Sequence, residues 1–241
     1  MIDGADVLTP AALALLRAMP GPPGLIIFDC DGVLIDSEPV ANRVCAEEIS
    51  AFGWKMDAIE CHSRFLGMSL SAMVPVIEAH TGRIVAADWV HNLADRLVEA
   101  LAVEAVTIDG AEAVLRATTA LGLDWRIASN SGPAELVAKF ARCGLTALVA
   151  GRVHSANDVI LRGGRGKPAP DLFLLAAAAS GIDPRLCVVV EDSATGITGA
   201  IAAGMTCLVY CPDGERTGLT ALGAAPVGAL YQLPKLFGAV L

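Results

Sequence analysis

The stretch Leu25-Ile26-Ile27-Phe28-Asp29-Cys30-Asp31-Gly32 constrains the fold more than any other part of the chain. Four apolar residues run straight into two aspartates one residue apart. An unbroken apolar run that stops at turn residues reads as a strand buried on both faces, the kind found in parallel sheets covered by helices. Asp29 and Asp31 then fall at the carboxyl end of the strand, the edge where such sheets bind ligands. Alternate residues share a face, so the two carboxylates set out in the same direction. Gly32 lets the chain turn away at once. Neighbouring carboxylates repel unless a cation or a proton lies between them. The stretch therefore reads as a hard-metal site with one carboxylate free for chemistry. A solvated turn after a core strand is the plainer alternative.

Residues 10–19 read as one short helix, stopped by Pro20, Pro22 and Pro23. From Glu38 to about residue 105 the pattern is helical throughout. Val40, Val44, Ile49 and Phe52 fit one face, ended by Gly53. Leu70, Met73, Val74 and Ile77 repeat at helical spacing, with Pro75 implying a kink or a late start. Trp89, Leu93, Leu97 and Leu101 form a third stripe. Helices with no strand between them, inside an otherwise alternating chain, suggest an inserted bundle.

After residue 109 the pattern alternates. Asp109 and Glu112 resemble a capping box, and Gly122 closes that helix. Trp125–Ser129, Leu145–Ala150, Leu186–Val190 and Thr206–Tyr210 read as strands, the last of these as the final one. Helices are expected after Pro133, at Pro170–Ala179 and at Ala194–Ala203. Strand and helix in alternation imply a doubly wound parallel sheet.

Three later segments deliver polar groups where strands end. Ser129-Asn130-Ser131-Gly132 offers a hydroxyl and backbone N–H groups suited to phosphate, or to a helix cap. Gly166-Lys167-Pro168-Ala169-Pro170-Asp171 holds a lysine in a segment stiffened by two prolines. It is not a nucleotide-binding phosphate loop, because Leu161 stands where the first glycine belongs and Pro168 replaces the hydroxyl residue. Glu191-Asp192-Ser193 follows a buried apolar run, as a second carboxylate source for a metal or as a helix cap.

Composition narrows the partners. A net charge of -9 argues against nucleic acid or an anionic membrane. No apolar run reaches membrane-spanning length. The N-terminus carries Asp3, Asp6 and Arg17 without a basic leader pattern, so a signal peptide is not expected. Seven scattered cysteines, with no zinc-type spacing, fit reduced thiols of a cytoplasmic protein. A monomer or weak homo-oligomer is expected.

Taken in order, Asp29-x-Asp31-Gly32-Val33 with Asp36-Ser37-Glu38, then Ser129, Lys167, and Glu191-Asp192, resemble the four motifs of the haloacid dehalogenase superfamily of phosphatases and phosphomutases, over residues 25–210. Glu191-Asp192-Ser193-Ala194-Thr195-Gly196-Ile197 with Ala202-Ala203-Gly204-Met205 resembles the subgroup with a helical cap between the first two motifs. The resemblance implies an N-terminal extension at 1–24, a Rossmann-like core at 25–38 and 106–241, and a cap at 39–105 that closes over the site. Arg64-Phe65-Leu66-Gly67, Ser129-Asn130 and Gln232-Leu233-Pro234 are similar to sugar-phosphate phosphatases of the 6-phosphogluconate type.

The roles implied are these. Asp29 is the nucleophile and forms an aspartyl-phosphate, and Asp31 is the acid and then the base. Mg²⁺ is held by Asp29, the Asp31 carbonyl and Asp192, with Glu191 as a fourth candidate. Ser129, Asn130 and Lys167 bind the phosphoryl oxygens of a small phosphorylated metabolite, and Arg64 is a candidate anion contact. A β-phosphoglucomutase-like mutase is the rival, but such enzymes carry a histidine where this chain has Ala41. Dehalogenases lack the second aspartate, and a catalytically dead binding scaffold would not need all these groups.

Overall fold

The computed structural model describes residues 9–65, 68–214 and 217–241. Helix α1 (Pro10–Arg17) precedes strand β1 (Leu25–Phe28). A short strand, β2 (Ile35–Asp36), leads into α2 (Glu38–Ala51), α3 (Ala58–Phe65), α4 (Leu70–Thr81) and α5 (Trp89–Glu104). Strand β3 (Val106–Thr107) pairs with β2 and returns the chain. Then follow α6 (Ala111–Ala120), β4 (Asp124–Ser129), α7 (Pro133–Arg142), α8 (Thr146–Val149), β5 (Val153–Ser155) and α9 (Ala156–Ile160). The rest is α10 (Asp171–Ser180), β6 (Cys187–Glu191), α11 (Ala194–Ala202), β7 (Thr206–Tyr210), α12 (Thr217–Thr220), β8 (Ala225–Val227) and α13 (Gln232–Gly238).

The chain divides into two compact units. One holds the chain up to Ile35, Thr107–Pro133 and Ala147–Leu241, and the other holds Asp36–Val106 with Ala134–Thr146. The first is built on a six-stranded sheet in the order β5-β4-β1-β6-β7-β8. Every pairing in it is parallel. The expected α/β doubly wound architecture is therefore present. β1 lies between β4 and β6, so the chain starts mid-sheet, builds toward one edge, then returns to β1 and builds toward the other. That reversal makes β1 the place where neighbouring crossovers part and leave a crevice at the carboxyl edge.

Burial explains the apolar runs. Leu25 to Phe28 and Cys187 to Val190 are all fully buried. Leu25, Ile27 and Val189 pack on Leu172, Phe173 and Ala176 of α10 and on Ile197 and Ala200 of α11. Small residues bring these helices close. A β-carbon on Gly199 would lie 3.1 Å from the Phe173 ring.

The second unit is helical. Trp89, Leu93, Leu97 and Leu101 of α5 are buried, as are Val40, Val44 and Ile49 of α2. Phe52 is only half-buried and caps α2 rather than continuing its stripe. Met73 and Ile77 are the buried residues of α4, which begins at Leu70 under a Ser69 cap and runs through Pro75 without a late start. The Trp54 and His80 rings stack at 3.7 Å.

Four sequence expectations are corrected. Leu145–Ala150 is not a strand: Thr146–Val149 forms α8, and the strand is Val153–Ser155. Leu145 and Val149 are buried while Thr146 and Ala147 are exposed, a helical spacing hidden inside an apolar run. Thr206–Tyr210 is not the last strand, because Ala225–Val227 extends the edge. Asp109 does not cap α6: Gly110 does, with φ of 80°, and no side chain bonds there. Leu186 belongs to a 3₁₀ turn ahead of β6. None of the seven cysteines is joined in a disulfide, and all but Cys143 are buried.

Ile27 meets helices on the covered face of the central strand. Ile27→Ala should cost about 2–5 kcal/mol, read as a fall in the urea midpoint at unchanged slope. A loss below about 0.5 kcal/mol would mean that β1 is not the centre of the core.

Candidate active site

Three neighbouring strands end together. Asp29 follows β1, and its backbone N–H donates to the Val190 carbonyl of β6 at 2.9 Å, so the strand pairing itself fixes where the carboxylate begins. Gly32, at φ of 77°, turns the chain away. A β-carbon there would overlap the Asp192 carboxylate, so glycine also makes room for an acid from β6. Asp31 comes round to β4, where its Oδ2 accepts from Ser131 Oγ at 2.9 Å and Ser129 Oγ at 3.2 Å. Ser155, at the end of β5, donates through its hydroxyl to the Ser131 carbonyl at 2.7 Å.

Lys167 enters from the loop before α10. Its Nζ donates to Asp29 Oδ1 and to Glu191 Oε1, each at 2.6 Å. The side chain is 4% exposed and lies over the Phe173 ring at 4.9 Å. Glu191 is wholly buried. Its Oε2 accepts from Asp192 N–H, Ser193 N–H and Ser193 Oγ at 3.0, 3.0 and 2.9 Å. The carboxylate thus lies against the N-terminus of α11, where unpaired N–H groups and the helix dipole favour negative charge. Ser193 caps the helix, its Oγ accepting from Gly196 N–H at 3.0 Å. A side chain at position 196 would overlap the Glu191 carboxylate.

Asn130 stands against the loop that carries Lys167. Its Nδ2 donates to the Lys167 carbonyl at 3.0 Å, and its Oδ1 accepts from Lys167 N–H at 2.9 Å. Arg64 belongs to the helical unit, paired with Glu60 at 2.8 Å and lying over Trp54 at 5.2 Å. Leu66 and Gly67, part of the same sugar-phosphatase-like stretch, lie outside the described residues. Within the sheet unit the structure brings together Asp29, Asp31, Ser129, Asn130, Lys167, Glu191 and Asp192. Ser131 and Ser155 were not singled out from the sequence. Ser131 carried a signal, because it stands two residues after Ser129 and alternate residues share a face.

The electrostatics are unbalanced. Asp29 and Glu191 share the ammonium of Lys167, and Asp31 and Asp192 add two more carboxylates around Asp29. Burial pushes the Asp29 carboxyl up to about 7; Lys167 opposes this, while Glu191 and Asp31 add to it. Burial alone would lower the Lys167 ammonium, but Asp29 and Glu191 outweigh it and hold the group above the usual lysine value. A divalent cation would restore Asp29 to its ionised form. Carboxylate oxygens of Asp29, Glu191 and Asp192 lie within 4.8 Å of one another. An all-oxygen set of that size suits a hard cation rather than zinc. Asp29, Glu191 and Asp192 each offer one oxygen to such a cation, and both Glu191 oxygens also accept hydrogen bonds.

A buried carboxylate at the switch point of a parallel sheet, backed by a lysine and a cation-sized acid cluster, defines an α/β enzyme that handles an anionic group. The profile of the haloacid dehalogenase-like hydrolases matches residues 23–204. The 6-phosphogluconate phosphatase of Escherichia coli is 27% identical over 215 residues, covering 89% of this chain and 94% of that one. Hexitol phosphatase A of Escherichia coli is 31% identical over 189 residues, covering 74% and 78%. A HAD family hydrolase from Deinococcus radiodurans, solved with bound phosphate and sodium, superposes with a TM-score of 0.72 at 32% identity, covering 90% of this chain and 98% of that one. The chain belongs to the haloacid dehalogenase-like hydrolases.

Gly196→Ala tests the close approach at α11. The new methyl would displace Glu191 and unseat Lys167, at a cost of about 3 kcal/mol or more. Chemical denaturation gives the value, and a variant as stable as the parent would show that Glu191 is not confined as described.

Proposed function

We propose that this hydrolase is a Mg²⁺-dependent phosphatase for a small phosphorylated metabolite, a sugar phosphate or sugar-acid phosphate, working through an aspartyl-phosphate on Asp29. One observation carries the reading: Asp29, Asp31, Lys167 and the Glu191–Asp192 pair converge from adjacent strand ends, and the relatives reported above include phosphatases of phosphorylated sugars and sugar acids.

In this reading Asp29 attacks phosphorus in line, and the alcohol oxygen leaves on the opposite side. Asp31 gives that oxygen a proton, then takes one from the water that releases phosphate from Asp29. The hydroxyls of Ser129 and Ser131 hold the Asp31 carboxyl in one orientation, which removes a rotation that the proton transfer would otherwise wait for. Lys167 donates to the phosphoryl oxygens as charge shifts onto them, and Ser129 joins it by turning its one hydroxyl proton from Asp31 to the phosphoryl group, Ser131 keeping its bond to Asp31. Asp29, Asp192 and the Asp31 carbonyl would hold Mg²⁺, which supplies Lewis-acid neutralisation of the phosphoryl charge. Glu191 stands behind them as the partner of Lys167. We assign the helical unit the role of cap. Arg64 enters as its candidate anion contact, which would have to leave Glu60 to serve.

Asp29→Asn keeps the shape and removes the attacking charge. Turnover of phosphate esters should fall by at least about a thousandfold with the thermal transition intact; more than a tenth of the parent rate would remove Asp29 from its role. Chelation should abolish phosphate release and Mg²⁺ restore it. Full activity in excess chelator, with bound metal excluded by elemental analysis, would end the metal assignment. Phosphate release and isomerisation of β-glucose 1-phosphate are to be assayed side by side. Ala41 in place of a histidine leads us to expect phosphate as the main product, and a faster isomerisation would make the chain a mutase.

A further inference from the structure

We propose that Asn130 is a positioning residue that acts through Lys167: its side-chain amide clamps the loop that aims the lysine. The inference rests on the phosphatase reading only where Lys167 is given a role in catalysis, and the contact itself is independent of that reading. An asparagine amide offers one acceptor and one donor side by side, the same pair that a peptide edge presents. Here both are used on a single residue, Oδ1 by the Lys167 N–H and Nδ2 by the Lys167 carbonyl, at 2.9 and 3.0 Å. A half-buried loop must find partners for its backbone groups, and this loop lies beyond the strands, where no ladder supplies them. Asn130, one residue past the end of β4, supplies both.

The approach is tight. A β-carbon on Gly166 would lie 2.7 Å from Asn130 Oδ1 and 3.0 Å from the Ala156 β-carbon. The loop is thus pressed against the end of β4 at the residue before the lysine. Lys167 Nζ spans from there to Asp29 and Glu191, both at 2.6 Å. A lysine stem has four rotatable bonds, so fixing its backbone at two points is what makes a buried ammonium a fixed charge. The side-chain bonds of Asn130 go to the Lys167 backbone, and its role is to place the residue that reaches Asp29.

Two readouts test this. The first needs no activity. The native protein is treated with an N-hydroxysuccinimide ester of acetate, and acetylation is followed by peptide mass spectrometry at Lys167 and at Lys139, which is buried in the helical unit at 1% exposure. In Asn130→Ala, Lys167 should be acetylated at least about fivefold faster while Lys139 keeps its parent rate. Gly166→Ala should show the same signature, because it breaks the clamp from the loop side and leaves Asn130 untouched. An unchanged Lys167 rate in whichever of the two variants folds overturns the proposal. Equal acceleration at both lysines overturns it too, since that is general loosening.

The second readout is a double-mutant cycle in phosphate release. Asn130→Ala should lower kcat about tenfold or more beside Lys167, and less than about threefold in a Lys167→Ala background. Losses that multiply would mean that Asn130 acts on substrate directly and would overturn the positioning role. If the parent hydrolyses no phosphate ester, the phosphatase reading fails, and the acetylation rates alone decide the clamp.

Discussion

One buried ammonium holds the site together. Lys167 reaches two carboxylates from two adjacent strands, Asp29 after β1 and Glu191 at the end of β6, and touches little water. Removing ions from water costs several kcal/mol each, so such a triad is a poor way to gain stability. The compensation is local: hydrogen bonds from the α11 N-terminus to Glu191, and the Phe173 ring beneath the ammonium. Even so, burial raises the affinity of Asp29 for a proton, and the neighbouring acids Glu191 and Asp31 add to it against the pull of Lys167. A cation answers the same imbalance without neutralising the carboxylate. The oxygens of Asp29, Glu191 and Asp192 form a cluster of a size to take such a cation.

The sheet makes this crowding possible. β1 pairs with β4 on one side and β6 on the other, in register at Ile127 and Val190 opposite Phe28. Side chains that leave three strand ends at the same level meet in front of them. The chain positions involved are far apart, 138 residues between Asp29 and Lys167. No local property links them, and only the parallel pairing does.

That distinction marks what could be read from the sequence. β1 and β6 announce themselves because both faces are buried and the runs Leu25–Phe28 and Cys187–Val190 are wholly apolar, and the acids that follow those runs have no packing role. Glycine positions forecast the ends of α2 and α6, where Gly53 and Gly122 take positive φ. Leu145–Ala150 misled because a short apolar run has the same composition in a strand and in one helical turn. Asp109 misled because a capping pattern competes with an adjacent glycine that takes the left-handed geometry itself. Asn130 showed its residue type but not its partner. An amide that binds substrate and one that binds a distant loop have the same letter, and the difference is tertiary.

Helix α11 illustrates a limit on how this protein can be improved. Glycine inside a helix ordinarily invites replacement by alanine, which restricts the unfolded chain and favours the helix by a fraction of a kcal/mol to about 1 kcal/mol. Here Gly196 faces the Glu191 carboxylate and Gly199 faces Phe173 and the Ala169 carbonyl. The helix is weak by its own propensity because its closeness to β6 and α10 is worth more than its propensity. Consensus-style thermostabilisation aimed at this helix would trade the geometry of an ion triad for a marginal gain in helicity. The room for engineering lies where glycine meets open space, as at Gly218 and Gly228.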